Sequence, residues 1–294
     1  MAKPVEYLTT KELADLLRIK ERKVYDLAAS GNVPCSRATG KLLFPRDQIN
    51  TWLAENSSGL ASNAHKERAH IFLGSHDPLL EWALMESRSG LASFFDSSFD
   101  GLARYENHEG IATGLHVYDA ETDQWNVPVI MEKFADEPAV LVHWAWRNRG
   151  LIVAPGTQGA YKDITSLRGK TFVPRQSEAG SQQLFNHLWE AVGMAPNQLE
   201  LITPARGETY AAQAVLENKA DAAFGLQALA KQYRLDFIPI IKERFDLLID
   251  RRFWFEEPMQ AFMSFCNENA FRTRAAELGG YDISDLGRVL YNGK

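Results

Sequence analysis

The run PRQSEAGSQQLF, Pro174 to Phe185, joins an apolar stretch, KTFVP, to an amphipathic one, LFNHLWEAVG. A strand, a tight corner and a helix start in that order leave backbone N–H groups unpaired. The helix dipole adds positive potential there, so such a corner suits an anion. Arg175, Ser177, Gly180 and Ser181 are its candidate contacts. The same chemistry recurs along the chain. FLGSHDPLLEWAL brings Ser75 and His76 beside Asp77, and FFDSSFDGLARY brings Ser97 and Ser98. His116 follows the apolar run of GLHVYDAETDQWN, and ARGETYAAQAV offers Thr209 and Tyr210 after Glu208. Taken singly, each corner is also an ordinary helix cap. Repeated within one alternating strand–helix region, they predict one ligand site at the carboxyl ends of the strands, where a small anion is held by N–H and O–H donors.

Other chemistry finds little support. There is no GxSxG elbow, P-loop, GxGxxG run or HExxH pair, so no catalytic residue and no cofactor are expected, and the chain is read as a non-enzyme. His76 and His116 lack metal-site spacing, and no metal is expected. Cys35 and Cys266, the two cysteines, make neither a disulfide framework nor a CxxC motif, which fits a reduced, cytoplasmic setting. Cys266, in MSFCNENAF, reads as a core residue of a helix. The N-terminus has no secretory signal, and AVLVHWAW is far too short to span a membrane, so no membrane partner is expected.

The elements that must position these corners fall into two regions. Residues 1–54 read as a small domain, 55–68 (ENSSGLASNAHKER) as a polar linker and 69–294 as a larger domain. In the last, apolar runs such as HIFLG, GLASFF, AVLVHWAW, GLIVAP, DFIPII and FDLLI alternate with helical patterns, which predicts an α/β fold with mainly parallel sheets. Charge divides along the same line: residues 1–68 carry 11 Lys and Arg against 8 Asp and Glu, and the remainder 21 against 30. A basic head on an acidic body permits a nucleic-acid partner for the head alone.

The head itself is patterned. In LTTKELADLLRIKERKVYDLAASGNVP, Thr9 or Thr10 can cap a helix with apolar Leu13, Leu16 and Leu17. A second helix turns Val24, Leu27 and Ala28 inward and Arg22, Lys23 and Tyr25 outward or to the flank, and Gly31 ends it. A hairpin with Gly40 at its tip carries Arg37 and Lys41, and a third helix packs through Ile49, Trp52 and Leu53. This is a winged helix-turn-helix pattern. YLTTKELADLLRIKERKVYDLAASGNVP…KLLFPRDQINTWL resembles the excisionase and MerR-type heads. The resemblance implies that Arg22, Lys23 and Tyr25 meet the major groove of a double-stranded DNA operator and that Arg37 and Lys41 touch phosphates.

The larger region resembles the periplasmic-binding-protein-like (type II) domains, similar to molybdate- and tungstate-binding proteins, that bacteria fuse behind such heads. The resemblance rests on GSHDPLLEWAL, GLARYENHEGIATGLHVYDAETDQWNVP, RNRGLIVAPGT, RQSEAGSQQLF, ENKADAAFGLQALAKQYRLDFIPIIKERFDLLI and GGYDISDLGRV. It implies two lobes, one of about 69–147 and 239–294 and the other of about 148–238, with crossings near 144–150 and 237–241. It further implies a one-component bacterial transcriptional regulator, a homodimer sensing molybdate or tungstate. The fourth corner departs from the usual R-Q-x-G-S-G-T-R. Gln182 stands for an Arg, Ala179 for a Ser and Glu178 for a Gly, and Tyr210 stands where His is common. Fewer cationic groups favour a larger or less charged ligand, a carboxylate or sulfonate, with Tyr210, Trp125 and Phe224 as candidate pocket walls. A further alternative is a ligand-binding protein whose head docks a protein partner.

Overall fold

A computed structural model describes residues 7–37, 40–55 and 68–294. The chain forms two compact units, Met1–Glu67 and Arg68–Lys294. Most of the expected linker, residues 56–67, lies outside the described residues, as do Ala38 and Thr39 of the expected hairpin. Arg68, expected as the last linker residue, is instead tied into the large unit. Its Nε donates to Asp250 Oδ2 at 3.0 Å and its guanidinium covers the Tyr105 ring.

In the small unit, β1 (Tyr7–Leu8) leads to α1 (Thr10–Leu17), α2 (Glu21–Ala29), β2 (Phe44–Pro45) and α3 (Arg46–Glu55). Thr9 caps α1 in a reciprocal box with Glu12. Gly31, at φ 72°, takes the left-handed position past α2 that a Cβ would disfavour. Leu13, Ala14, Val24, Ala28, Phe44 and Ile49 make the core. Leu16, expected inside, is 43% exposed because α1 turns Ala14 inward in its place.

The large unit begins with parallel strands and helices: β3 (Ile71–Ser75), α4 (Pro78–Glu86), β4 (Ala92–Asp96), α5 (Ser98–Glu106) and β5 (Ala112–Leu115). A two-stranded ribbon, β6 (Tyr118–Asp119) and β7 (Gln124–Trp125), precedes α6 (Val127–Phe134). Then β8 (Ala139–Val153) runs for 15 residues into a second group. That group holds β9 (Thr171–Val173), α7 (Gly180–Ala191), β10 (Glu200–Leu201), α8 (Glu208–Leu216), β11 (Ala222–Leu226) and α9 (Gln227–Gln232). The 15-residue β12 (Asp236–Asp250) returns the chain to the first group, which ends with α10 (Glu257–Cys266), α11 (Asn269–Leu278), β13 (Tyr281–Asp282) and β14 (Val289–Asn292).

AVLVHWAW and GLIVAP, expected as separate strands, are thus one strand, and so are DFIPII and FDLLI. They pair antiparallel from Asp236↔Val153 to Asp250↔Ala139, with register shifts at Pro239/Ile241 and Phe245/Asp246. The expected mainly parallel sheet is therefore mixed: parallel pairs flank an antiparallel centre, in the order β10-β9-β11-β8-β12-β5-β3-β4. A strand that leaves one lobe and another that returns must run in opposite directions. Each lobe keeps apolar cores on both faces of its part of the sheet, around Phe72, Trp144 and Phe262 and around Leu102 and Phe134 in one. Leu151, Phe172 and Phe185, and Ile152 and Ala212, centre those of the other.

Candidate functional site

The corners after β3, β4 and β5 in one lobe and after β9 and β10 in the other line one cleft of about 880 Å³. Ser75, His76, Ser97, His116, Arg175, Gly180, Ser181, Thr209 and Tyr210 all border it. Ser98 lies beneath instead, fully buried: its Oγ is 2.8 Å from Ser75 Oγ and accepts from the His116 N–H at 3.2 Å. Ser177 does not border the cleft; it is exposed, and its hydroxyl donates to the neighbouring Glu178. Trp125 and Phe224, expected as walls, are buried in a lobe core instead, Trp125 against the Tyr118 ring and Phe224 against Phe185. Trp82 and Phe95 are the aromatic walls, beside Tyr210.

The two lobes present different helix ends. In the first, Asp77 caps α4 by accepting from Leu80 N and Ser97 caps α5 by accepting from Asp100 N. In the second, α7 and α8 follow Ala179 and Gly207, which give no side-chain cap. No side-chain cap occupies their first turns, and a helix start of that kind suits an anion. Gly180 lets α7 approach the facing lobe: a Cβ there would stand 3.1 Å from the His116 carbonyl oxygen. Gln182 caps the corner, its Oε1 accepting from Arg175 N at 2.6 Å and its Nε2 donating to Asn186. It is an internal brace in a position where an arginine would have added charge.

Beneath the cleft runs a buried ionic chain that the sequence pattern did not reveal. Asp77 Oδ2 accepts from Arg147 Nη1 at 2.9 Å and from the Tyr281 hydroxyl. Arg147 also donates to Glu243, and Arg149 reaches both Glu243, at 2.5 and 2.9 Å, and Glu208, at 2.7 Å. Arg147, Arg149 and Glu243 sit on the crossing strands β8 and β12, while Asp77 and Glu208 open α4 and α8 in opposite lobes. The signal for it was the charge inside the apolar runs around RNRG and KERFD, which a solvated strand face would also carry.

Burial raises the Glu208 and Glu243 carboxyls, but Arg149 with Arg175, and Arg147 with Arg149, outweigh it and hold both below the usual range. His116 Nδ1 lies 3.1 Å from Glu243 Oε2 without the alignment of a hydrogen bond. Burial holds its imidazole below 6.5, so it is neutral at pH 7. Arg175 is 8% exposed, its Nε and Nη1 lack partners among the described residues, and burial lowers its pKa. It is a desolvated cation at the edge of an open cleft.

In the small unit, Arg22, Lys23 and Tyr25 are exposed along α2. Tyr25, Arg37 and Lys41 border one shallow groove of about 380 Å³ between α2 and the hairpin. Arg37 donates from Nη2 to the Ala28 carbonyl at 3.0 Å, which ties it to α2.

Among the described residues no helix is long and apolar enough to cross a membrane. The profile of a helix-turn-helix domain matches residues 7–57. The YvgK protein of Bacillus subtilis (strain 168) is 26% identical over 305 residues, covering 96% of this chain and 97% of that protein. A protein encoded in the 5′ region of a ferredoxin 2Fe-2S gene of Clostridium pasteurianum is 34% identical over 80 residues, 27% of this chain and 71% of that one. Among solved structures, a cysteine mutant of Corynebacterium glutamicum OxyR is similar with a TM-score of 0.50 at 10% identity, over 92% of this chain and 90% of that one. A hydrogen peroxide-bound form gives 0.51 at 11%, over the same shares. The PBP superfamily domain matches residues 82–267, and with this two-lobed fold around one cleft the chain belongs to that family.

Proposed function

We propose that the chain is a ligand-responsive transcription regulator. The helix-turn-helix unit binds a double-stranded DNA operator as a homodimer, and the two-lobed domain closes on a small anion, changing the affinity for DNA. Arg175 carries this reading: a buried guanidinium with two unpartnered N–H donors, beside the uncapped start of α7, is stable only with an anion or water at hand. A small organic anion, a carboxylate or sulfonate, is favoured over molybdate or tungstate. The cleft is far larger than a tetrahedral oxyanion, and Gln182 supplies no second cation at the corner. We read the cleft as binding and not catalytic, and the protein as working in the cytoplasm.

The test is a gel shift on the DNA upstream of the protein's own gene, with and without candidate anions. Four cationic side chains per protomer (Arg22, Lys23, Arg37 and Lys41) give eight phosphate contacts per dimer at most, so log affinity should fall against log salt with a slope as steep as about −7. Sequence-specific binding that ignores salt, or none at all, would remove the regulator reading and leave a head that docks protein. Arg175→Met should weaken the anion's effect roughly ten- to hundredfold, the scale of a lost charge-assisted bond, and leave DNA binding intact.

A further inference from the structure

We infer that the ligand is a zwitterion: its anionic group meets Arg175, and an adjoining ammonium or guanidinium meets Glu208. The inference rests on the anion reading above and names the ligand's second charge.

Glu208 is 9% exposed, borders the cleft and heads α8. Its Oε1 is taken by Arg149, while Oε2 is buried with no partner. A buried carboxylate oxygen is an acceptor only, and this one finds no donor among the described residues; the cleft that Glu208 borders is where a bound molecule could bring one. Arg175, equally buried, has the opposite need in Nε and Nη1. Each feels the other's charge, yet the carboxylate pairs with Arg149 and not with Arg175. Two residues that carry, between them, a buried unpartnered acceptor and buried unpartnered donors thus line the same cleft, and a molecule carrying both charges would satisfy both.

Charge balance points the same way. The cleft is lined by three carboxylates, Glu81, Asp96 and Glu208, and three guanidinium groups, Arg175, Arg206 and Arg274. The floor repeats this balance: Arg147 and Arg149, with Arg175 above them, face Asp77, Glu208 and Glu243. His116 adds no charge at neutral pH. A lone anion would leave this desolvated set one charge negative, whereas a zwitterion leaves it neutral. Trp82, Phe95, Tyr210 and Leu229 offer apolar wall for the remainder of the molecule.

The experiment is a thermal-shift and calorimetric panel on the full chain. Its probes are the proteinogenic amino acids, γ-aminobutyrate, taurine and 2-aminoethylphosphonate. Each is paired with the same anion lacking the amine and, for the amino acids, with the 2-hydroxy acid. At least one zwitterion should stabilise the protein and bind at least tenfold tighter than both partners. In Glu208→Gln that advantage should vanish, so that the amine-free anion binds at least as tightly as its zwitterion. If this variant fails to fold, the matched comparison on the wild-type chain still decides. An amine-free anion or hydroxy acid binding as tightly as its zwitterion overturns the inference but spares the anion reading, and water then fills the position at Glu208. Stabilisation by amine-free anions with no zwitterion active has the same meaning. If no probe of either kind binds, both readings fall.

Discussion

His116 stands where the corners of the two lobes meet, and its proton determines how the cleft answers acid. Burial depresses its pKa, Arg147 and Arg149 add to this, and Glu243 opposes it. The unfolded chain therefore takes up a proton on His116 near pH 6.5 that the folded chain refuses. Stability from this residue is complete above pH 6.5 and falls as pH drops toward the folded value. Glu208 and Glu243, both lowered from 4.5, add a second loss below that pH by the same sign. The urea midpoint of the large unit should decline in two stages on acidification. In His116→Asn the first stage should disappear, a change of about 1.4 kcal/mol for each tenfold difference in proton affinity between the folded and unfolded chain. An unchanged first stage would place the responsible proton elsewhere. Most of the residues that border the cleft are legible at this scale because Ser, Gly and Arg recur at the strand–helix corners of one α/β unit, even where one of them, Ser97, is also a helix cap. Ser177 and Ser98 were not separable from them, since a corner residue faces the cleft, the solvent or the floor according to a turn of backbone that its type does not encode.

Among the elements, α7 carries the chemistry. Its first turn has no side-chain cap, and Gly180 brings it against the backbone of His116 in the facing lobe. A side chain here must displace a carbonyl oxygen, which cannot yield as a flexible side-chain end would. Gly180→Val should hold the lobes apart and lower the affinity for the active anion by at least tenfold, read by calorimetry. Binding of DNA by the separate helix-turn-helix unit should persist, and wild-type anion affinity in the variant would show that this close approach is not needed. The helix-turn-helix elements were legible because local signals set them: Thr9 with Glu12 starts α1 and Gly31 ends α2. The strands were harder. RN and KE interrupt the apolar runs of β8 and β12, so each strand reads as two, but Arg147, Arg149 and Glu243 are buried by one another and each strand continues.

On the scale of the whole large unit, the chain Asp77–Arg147–Glu243–Arg149–Glu208 links the first turns of α4 and α8 through the two crossing strands. Its partners sit in opposite lobes, so the lobe closure proposed above would act on the strands that carry this chain, with Glu243 at the junction. Removing one member leaves buried charge unpaired, which costs about 3–5 kcal/mol, whereas the intact chain adds little net stability. Glu243→Gln should destabilise the large unit by that amount in urea, with the small unit unaffected. Tryptophan fluorescence separates the two, because Trp52 alone of the seven tryptophans lies in the small unit. A loss below about 1 kcal/mol would mean that water or a rearranged partner neutralises Arg147 and Arg149.

By itself the sequence determined the helix-turn-helix head, the alternation of strands and helices, and most of the corner residues that border the cleft. These depend on spacings of three to four residues within one element or on single turns, and short-range sterics and capping settle them. The tertiary structure alone decided that β8 and β12 are continuous and antiparallel, that Trp125 and Phe224 are core, and that Arg147, Arg149, Glu208 and Glu243 form one buried chain under the cleft. Arg149 and Glu243 are 94 residues apart in sequence. Whether such charges are solvated or paired depends on desolvation by distant segments, and no local pattern carries that information.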